Sequence, residues 1–472
     1  MPVEWSGSSP QLLIELDRDV RTPLRSQLEG QLRAAIQTGR LSAGERMPSS
    51  RALATHLGLS RGLIQDCYAQ LQAEGYLTSR GGSATRVAAT LAGPRPTPEP
   101  TPVPDGQPRL IADFQSGVPD LGLVPREDWA WAVREACRSA PNSAFDYGDP
   151  RGDPKLRDIL ASYLRRVRAV DAHADQVVVC GGFAQGLGIV LRTLAHDGLT
   201  RVAFEDPGSV GTITAAANAA GSEAVPVAVD ELGIDVAALA ASGARVVVLT
   251  PAHQWPTGVV LAAERRHQLV AWARERDAII VEDDYDAEFR YDREPVGSLQ
   301  GLAPDRVVAL GTVSKSLAPA LRLGWAVVPV PIADDVTAAK RVADRGTPGP
   351  DQLALAKLIE SGRYDRHLRR MRAEYSKRRD ALVESLAAHA PHIRITGLAA
   401  GFHAVAHLPD GTDEQDLTAR AAALGVGIYG MSRYRSTHDT VPPQLVIGFG
   451  NTGARAIHAG VSAIAGLLGG DG

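Results

Sequence analysis

The chain has 472 residues, of which 44% are hydrophobic and 22% are charged, a composition typical of globular proteins and not of disordered ones. This length exceeds what one hydrophobic core normally organises, so we expect two or three domains. The net charge is −4, yet residues 20–89 hold nine arginines against four acidic residues, a balance of about +5. A small basic segment on an acidic body favours a polyanionic partner, although many basic surfaces serve only solubility.

Three cysteines, Cys67, Cys137 and Cys180, lie far apart and lack the spacing of metal ligands or redox pairs. We therefore expect reduced, mostly buried thiols and no metal site. No N-terminal apolar run resembles a signal peptide, and no apolar stretch reaches the ~20 residues that a membrane span needs. The sequence predicts a cytoplasmic protein without a membrane partner.

The first predicted elements form a helix-turn-helix. Residues 24–38 have helical spacing. In the segment that follows, Ser49 or Ser50 can cap a short helix, Gly58 ends it, and Ser60 can cap the next one. Two short helices joined by a tight turn that contains glycine are typical of this motif.

The segments YLTSR, GGSAT and RVA behind the second helix predict a two-stranded wing. In such a unit the second helix enters the major groove, and side chains at its N-terminus meet base edges. Arg61 lies there, and Arg51 begins the preceding helix. Both arginines could be solvated helix ends, but the basic bias and the wing together favour DNA binding. The predicted DNA contacts are Ser50, Arg51, Ser60, Arg61, Gly82, Ser83 and Thr85.

The signature pieces GRLSAGERMPSSRALATHLGLSR and YAQLQAEGYL resemble the winged-helix domain of GntR-type bacterial transcription regulators. The resemblance implies a DNA-binding domain, placed at residues 20–88, with a double-stranded operator as its partner. It departs from many relatives at residues 61–63, which read Arg-Gly-Leu in place of polar residues, so no base preference is implied. Residues 89–110 follow as a proline-rich segment that predicts an extended, semi-rigid linker.

Beyond the linker, short β-branched runs alternate with helical patterns. The runs lie at residues 176–182, 201–207, 244–251, 278–284, 306–312 and 324–330. Near-continuous apolar strands are buried on both faces, so we expect an α/β fold with a mostly parallel sheet covered by helices. From about residue 350 a long charged helix leads into a smaller lobe.

The segment GTVSKSLAPALRLGW places Lys315 between two small hydroxyl side chains after a predicted strand. Lys315 could be a solvated surface residue. An aldehyde cofactor such as pyridoxal 5′-phosphate (PLP) bound to it would need hydroxyls, N–H groups and a cation for its phosphate, a carboxylate for the pyridine nitrogen and a donor for the phenolic oxygen. Thr312, Ser314 and Arg322 meet the first need, at a strand end where parallel sheets gather ligands.

Further segments can meet the other needs. The glycine turn of residues 180–190 leads into a helix whose N-terminal amides suit an anion, although such turns also simply end strands. Glu282, Asp283 and Asp284 follow a buried strand, where three acids resist burial unless a cation or ligand compensates. His253, in the loop TPAHQWPTGVVL, could touch the phenolic oxygen or be a structural loop histidine.

In this order, DFQSGVPDLGLVP, YGDPRGDPKLR, HQWPTG, EDDYDAEFRY and SKSLAPALRLGW resemble the PLP enzymes of fold type I, the aspartate aminotransferase-like fold, over residues 111–472. A GntR-type winged helix joined to such a domain is the architecture of MocR/GabR-type transcription regulators. The resemblance implies homodimers in which the DNA-binding unit of one chain packs on the large domain of the other.

The same resemblance implies Lys315 as the Schiff-base lysine, Asp283 rather than Asp284 at the pyridine nitrogen, and Tyr285 at the phenolic oxygen. The predicted cofactor residues, with Ser314 and Arg322 on the phosphate, are Gly182, Phe183, Ala184, His253, Asp283, Tyr285, Thr312, Ser314, Lys315 and Arg322.

Three positions depart from the family pattern. Residues 182–184 lack the hydroxyl that many relatives have there, and Ser209 replaces an aromatic that often stacks on the cofactor. Residues 445–447 are apolar where aminotransferases, and regulators that sense an amino acid, carry an arginine for the substrate carboxylate. Without its bidentate partner a carboxylate binds weakly, unless Arg433 or Arg435 substitutes.

The sequence therefore predicts a transcription regulator whose aminotransferase-like domain senses PLP, a related B6 vitamer, or an amine or amino acid, with little or no turnover. The alternative is a working PLP-dependent aminotransferase with an added DNA-binding domain, which rapid conversion of an amino acid and keto acid pair would identify. A third hypothesis, a degenerate domain without cofactor, is disfavoured because the lysine, aspartate and arginine set is intact.

Overall fold

The computed structural model describes residues 14–79, 84–88, 110–286, 288–291, 297–436 and 442–469. The chain divides into two compact units, residues 1–107 and 108–472. Nearly all of the predicted linker lies outside the described residues. Within the described part of the chain, no helix is long and apolar enough to cross a membrane.

The first unit contains α1 (Leu24–Gln37), α2 (Ser50–Leu57), α3 (Arg61–Ala73), β1 (Leu77–Thr78) and β2 (Arg86–Val87). Ser49 caps α2 by accepting a hydrogen bond from the Ala52 N–H at 3.2 Å, and Ser60 caps α3 by accepting one from the Leu63 N–H at 3.2 Å. Gly58 ends α2 with a φ of 63°, a left-handed conformation that glycine adopts without steric cost. The predicted helix-turn-helix is confirmed, and Ser49 rather than Ser50 is the first cap.

The three helices of this unit share one small core. Their most buried side chains are at most 1% exposed and include Leu28, Leu32, Leu53, Ile64 and Leu71. Strands β1 and β2 pair antiparallel, with buried Leu77 opposite buried Val87. The wing therefore covers the core with one face and leaves Arg86 on the exposed face.

The second unit is built on a large sheet and a smaller one. Its strands are β3 (Ala112–Asp113), β4 (Val177–Cys180), β5 (Arg201–Asp206), β6 (Glu223–Asp230), β7 (Gly233–Ile234), β8 (Val246–Leu249), β9 (Ile279–Asp284), β10 (Val307–Thr312), β11 (Gly324–Val327), β12 (Arg394–Thr396), β13 (His403–His407), β14 (Val426–Gly427) and β15 (Gln444–Gly448). The large sheet has the order β4-β11-β10-β9-β8-β5-β6-β7. Its central pairs are parallel, while β11 and β7 run antiparallel to their neighbours. All six predicted strands are confirmed, whereas β6 and the edge strand β7 were not predicted.

Helices cover both faces of the large sheet. The helices of this unit are α4 (Arg126–Ser139), α5 (Pro154–Arg168), α6 (Phe183–His196), α7 (Val210–Ala219), α8 (Val236–Ala241), α9 (Ala263–Glu275), α10 (Ala333–Asp344), α11 (Gly349–Glu360), α12 (Arg363–His389), α13 (Glu414–Ala423) and α14 (Ala454–Leu468). In β8, Val246 and Val248 pack in one core with α6 and α7, whereas Val247 and Leu249 pack in the other core with α8 and α9. Burial on both faces explains the near-continuous apolar strands.

The long charged helix predicted from about residue 350 is in fact two helices. Helix α11 ends at Glu360 and α12 begins at Arg363, because Gly362 adopts a φ of 68° that a right-handed helix cannot contain. Behind α12, strands β12, β13 and β15 form the antiparallel sheet of the smaller lobe, and β14 pairs with β3.

The parallel strands end together at one edge of the sheet. Leu249 of β8 lies opposite Glu282 of β9, and Asp283 lies opposite Leu310 of β10. The loops that follow these three strands therefore meet at the same edge, where ligands of open α/β sheets bind.

Candidate functional site

A cavity of about 510 Å³ lies at this edge of the large sheet. Its lining residues are Gln115, Ser116, Gly117, Val118, Phe183, Ala184, Ser209, Thr212, Trp255, Asp283, Tyr285, Thr312, Ser314, Lys315 and Arg322. The cavity thus brings together eight of the ten predicted cofactor residues. Gly182 lies next to it beneath the Arg322 guanidinium, and His253 lies outside it.

Lys315 projects into the cavity from the loop after β10. Its Nζ donates a hydrogen bond to the Gly117 carbonyl at 2.6 Å. Burial lowers the pKa of Lys315 below its usual value, although the negative charges of Asp283 and Asp286 oppose this shift. A lowered pKa increases the fraction of neutral amine, the form that attacks a carbonyl group.

The three acids at the end of β9 have three different environments. Asp284 accepts hydrogen bonds from Arg168 Nε at 2.6 Å and Nη2 at 3.0 Å, a bidentate and largely buried ion pair. Glu282 accepts hydrogen bonds from the Leu299 N–H at 3.1 Å and the Gln300 N–H at 3.2 Å.

Asp283 is the acid that faces the cavity. Among the described residues its Oδ1 is buried without a hydrogen-bond partner. Burial raises the pKa of Asp283 well above its usual value, and the nearby Asp284 raises it further, while Lys315 opposes the shift. A cation held in the cavity beside Asp283 would supply the missing partner.

The opposite end of the cavity suits an anion. Thr312 Oγ1 lies 2.9 Å from Ser314 Oγ, so two hydroxyl groups stand side by side. Arg322 donates to the Gly181 carbonyl at 2.5 Å, and its guanidinium lies so close to Gly182 that a Cβ there would be 3.2 Å from Nη2. Helix α6 begins at this point without a side-chain cap, leaving its first N–H groups directed at the cavity end.

His253 does not line the cavity, because its ring is turned into the protein. Its Nδ1 lies 2.8 Å from Asp286 Oδ2, and its Nε2 lies 3.2 Å from the Gly397 carbonyl. The hydroxyl of Tyr285 lies 3.2 Å from the same Nδ1. Of the predicted pair, Tyr285 is therefore the residue that reaches the cavity, and the direct cofactor contact predicted for His253 has no counterpart in this geometry.

Several lining residues were not predicted. The loop of residues 115–118 reaches the cavity from a distant part of the sequence, and Ser209, Thr212 and Trp255 complete the wall. The Trp255 ring packs edge-on against Tyr285, with centroids 5.9 Å apart. The motif HQWPTG contained a signal for Trp255, but an aromatic in a loop cannot be distinguished from a core residue by sequence alone.

Among the described residues, the wall near Ser116 contains no cation for a substrate carboxylate. Ser116 Oγ pairs with Tyr434 Oη at 2.8 Å, while Arg433 stacks on the Tyr429 ring at 4.9 Å. Among the described residues, Lys315 and Arg322 are the only cations that line the cavity. Arg433 and Arg435 are not among the residues that line the cavity.

In the first unit, Arg51 is exposed at the second position of α2, and Arg61 is exposed at the first position of α3. Neither forms an ion pair with another described residue. Thr85 lies in the wing, where its carbonyl accepts a hydrogen bond from the Met47 N–H at 2.8 Å. The predicted contacts Gly82 and Ser83 lie outside the described residues.

Both units match known families. Residues 24–87 match the gntR family of bacterial regulatory proteins, and residues 111–429 match aminotransferase class I and II. The kynurenine aminotransferase of Pyrococcus horikoshii has a similar structure, with a TM-score of 0.69 and 26% identity over 76% of this chain and 91% of that one. An archaeal alanine:glyoxylate aminotransferase has a TM-score of 0.68 and 24% identity, over 76% and 90% of the two chains.

Relatives with both units are transcriptional regulators. The probable rhizopine catabolism regulatory protein MocR of Rhizobium meliloti is 33% identical, over 96% of this chain and 95% of that protein. The pyridoxine biosynthesis transcriptional regulator PdxR of Corynebacterium glutamicum is 33% identical, over 90% and 91% of the two chains. The chain therefore belongs to the family of GntR-type helix-turn-helix transcriptional regulators that carry an aminotransferase-like domain.

Proposed function

We propose that this transcription regulator binds PLP in the cavity of its second unit, and that the bound cofactor sets the affinity of the winged helix for an operator. The aminotransferase class I and II fold is that of a PLP-dependent family. The observation that carries the proposal is one cavity that holds Lys315, an amine with a lowered pKa, and Asp283, whose Oδ1 is buried without a hydrogen-bond partner among the described residues.

The residues present fit PLP. Lys315 would hold the aldehyde carbon, and Asp283 would face the pyridine nitrogen and keep it protonated. Tyr285 would donate to the phenolic oxygen, while Ser314 and Arg322 would hold the phosphate together with the N-terminus of α6. When bound, PLP supplies a reactive aldehyde and an electron-accepting ring.

For the signal itself, we propose PLP or a related B6 vitamer. The wall near Ser116 and Tyr434 offers no cation to an α-carboxylate among the described residues, whereas the anion end with Arg322 suits a phosphate. The relative PdxR carries pyridoxine biosynthesis in its name, which agrees with this choice. An amine without a carboxylate is the second candidate on the same grounds.

The alternative, a working aminotransferase with an added DNA-binding unit, is supported by the similar aminotransferase structures and by the complete cofactor set. It predicts rapid conversion of an amino acid and keto acid pair by the full-length protein. The regulator hypothesis predicts operator binding that changes with PLP while such conversion stays slow.

Footprinting upstream of the protein's own gene, with and without PLP, tests the proposal. We expect a protected region of DNA. The protein concentration that gives half-maximal protection should change with PLP for the native chain but not for Lys315→Ala. Protection that is identical in all four samples would contradict a PLP signal, and absence of any visible absorption band in protein mixed with PLP would contradict cofactor binding.

The resemblance also led us to expect dimers, and aminotransferase-like domains are typically dimeric. We propose a homodimer in which each DNA-binding unit packs on the partner's second unit. Sedimentation of the full-length protein should give twice the chain mass. A second experiment would place one cysteine in the DNA-binding unit of one tagged chain and another in the second unit of a differently tagged chain. A disulfide between the two tagged chains would indicate that each DNA-binding unit packs on its partner, and not only that the chains form dimers.

A further inference from the structure

Behind the cavity wall, three buried side chains form a hydrogen-bonded series. Tyr285 lines the cavity, its hydroxyl lies 3.2 Å from His253 Nδ1, and the same Nδ1 lies 2.8 Å from Asp286 Oδ2. The side chains of His253 and Asp286 are 0% and 2% exposed. The series therefore leads from the cavity into the interior and not towards solvent.

Hydrogen bonding limits where the protons of this series lie. The Gly397 carbonyl lies 3.2 Å from His253 Nε2 and can only accept, so Nε2 carries a hydrogen. One further proton lies between His253 Nδ1 and the Asp286 carboxylate. In this structure Tyr285 donates its single hydroxyl hydrogen to the backbone carbonyl of His253 at 3.1 Å, and it would have to turn this hydrogen towards the cavity to donate to a ligand there. The ring of His253 thus has a hydrogen-bond partner at each nitrogen, and its Nδ1 also contacts the Tyr285 hydroxyl.

Close packing keeps this arrangement rigid. A Cβ at Gly401 would collide with Asp286 Oδ2 and His253 Nδ1, and glycine is also needed there for a φ of 68°. On another side, the fully buried ring of His403 packs on His253 with centroids 4.5 Å apart. Since these neighbours fill the space around His253, its ring orientation is set before any ligand enters the cavity.

We propose that His253 and Asp286 are positioning residues that orient the Tyr285 hydroxyl as a hydrogen-bond donor to an anionic oxygen of the ligand in the cavity. The inference rests on the proposed function, under which that oxygen is the phenolic oxygen of PLP. Burial, and then the nearby Asp286 carboxylate, raise the pKa of Tyr285 well above its usual value, so the hydroxyl keeps its proton and remains a donor. A donor in this place stabilises the ionised form of the bound chromophore.

A metal site is the main competing explanation for the cluster. One ligand atom each from His253, Asp286 and His403 lies within 4.8 Å of the others, and both ring nitrogens of His403 are buried without a hydrogen-bond partner among the described residues. However, a cation at His253 would have to displace the proton shared with Asp286. We therefore infer positioning and make metal content an outcome of the test.

The test is a double-mutant cycle on the absorption of the bound cofactor. Apo protein is loaded with PLP, and the pH midpoint between its two absorption forms is measured for the native chain, Tyr285→Phe, Asp286→Asn and the double variant. The charged and titratable groups around the series, which stay constant in the cycle, are Glu205, Asp283, Arg290, Lys315 and His403.

We expect Asp286→Asn to move the midpoint to higher pH in the native background, in the same direction as Tyr285→Phe, and to have no further effect once Tyr285 is Phe. His253→Leu should behave like Asp286→Asn, whereas His253→Asn, which can still donate to Asp286, should recover most of the native midpoint. Affinity for PLP should fall about tenfold in His253→Leu, the scale of one hydrogen bond to a charged group.

Each other outcome overturns the inference. Additive midpoint shifts in the cycle would mean that Asp286 does not act through Tyr285, and stoichiometric metal that is present in the native protein and lost in His403→Leu would make the cluster a metal site. His407→Asn, on the same strand as His403 but bonded to Thr396 and Gln444, is the matched control and should change nothing. If the native protein shows no cofactor absorption at all, the proposed function fails together with the inference. A native band with an additive cycle removes the inference alone.

Discussion

In the winged helix, the arginines proposed to bind DNA are exposed, whereas in the aminotransferase-like domain Asp283 and Lys315, proposed to bind PLP, are partly buried in the wall of a cavity. Arg51 and Arg61 are exposed and have no ion-pair partner among the described residues to lose when a polyanion arrives. Asp283 and Lys315 are already desolvated, so the fold bears the cost of their burial until a ligand compensates it. Substitutions of these two arginines should therefore change affinity alone, while substitutions of Asp283 and Lys315 should be able to change affinity and stability together.

The largest expected effect is at Lys315. Lys315→Ala should abolish covalent attachment of PLP, because Lys315 is the only primary amine that lines the cavity among the described residues. Mass spectrometry after borohydride reduction should find the cofactor on Lys315 in the native protein and on no residue in the variant. The exposed Lys377→Ala is the control and should label like the native chain; label on another lysine in Lys315→Ala would contradict the assignment.

Substitution of the adjacent acids Asp283 and Asp284 should have opposite consequences for stability and for PLP binding. Asp284→Asn removes the bidentate carboxylate partner of the buried Arg168 and should lower the free energy of unfolding by about 3–5 kcal/mol. Asp283→Asn removes a carboxylate whose Oδ1 is buried without a hydrogen-bond partner among the described residues, so it should leave the apo protein as stable as the native chain, or more stable, while weakening PLP at least about tenfold. Urea unfolding of the apo proteins and PLP titrations measure the two quantities. If instead Asp283→Asn destabilised the apo protein and Asp284→Asn weakened PLP binding, the roles of the two acids would be exchanged.

Asp283 and Asp284 also show how much of the site can be predicted from the sequence alone. The six strands were recognised because burial on both faces makes them near-continuous apolar runs, and the motif at residues 311–325 pointed to Lys315. Adjacent residues of a strand face opposite sides, so a shift of one residue exchanges Asp283 with Asp284, and only the partner Arg168, far away in the sequence, decides between them. Strand β6, next to the edge strand β7, was missed because it contains Pro226 and is not a continuous buried run.

Other features were missed because they depend on contacts between distant segments. Gly117 meets Lys315 across 198 positions of sequence, and no local pattern predicts that contact. His253 and Tyr285 were both reasonable partners for a phenolic oxygen, and the choice rests on Asp286 and Gly397, which turn the imidazole away from the cavity. The interruption of α11 and α12 at Gly362 was hidden because one glycine in a strongly helical run costs only about 1 kcal/mol.

A buried acid, Glu205, that has no ion-pair partner within the described part of the chain should also make stability depend on pH. Glu205 accepts hydrogen bonds from the Thr250 N–H at 2.9 Å and hydroxyl at 2.7 Å, and burial raises the pKa of Glu205 to about 7. The folded chain keeps this proton at a pH where the unfolded chain releases it, so the stability of the apo protein should fall as pH rises from about 4.5 to about 7. The loss attributable to Glu205 is on the order of 3 kcal/mol.

Glu205→Gln should remove that part of the pH dependence and make the apo protein more stable than the native chain at neutral pH. Denaturant unfolding at several pH values measures it, with the exposed Glu275→Gln as control. If the free energy of unfolding depended on pH in the same way for Glu205→Gln and for the native chain, the Glu205 carboxyl would not be the source of the pH dependence.

Smaller effects are expected for the two exposed arginines of the winged helix. Arg51→Ala and Arg61→Ala should each weaken operator binding by about 1–3 kcal/mol and leave the unfolding transition within about 0.5 kcal/mol of the native value. Arg25→Ala is the matched control, because its guanidinium is paired with Glu29 on α1. Unchanged operator affinity in both variants, measured at a fixed salt concentration, would contradict the proposed DNA surface.

The smallest expected effect separates the fold of the winged helix from its binding function. Ser49 caps α2 through the Ala52 N–H, whereas Ser50 is the first helical residue and caps nothing, so Ser49→Ala should cost about 1 kcal/mol of stability and Ser50→Ala much less. If Ser50 contacts DNA, as the sequence predicts, Ser50→Ala should weaken operator binding without that loss of stability. Thermal unfolding and operator titration of the two variants test both statements, and because the two serines are adjacent, a shared defect in stability and binding would mean that the capping and binding roles are not separable at this helix end.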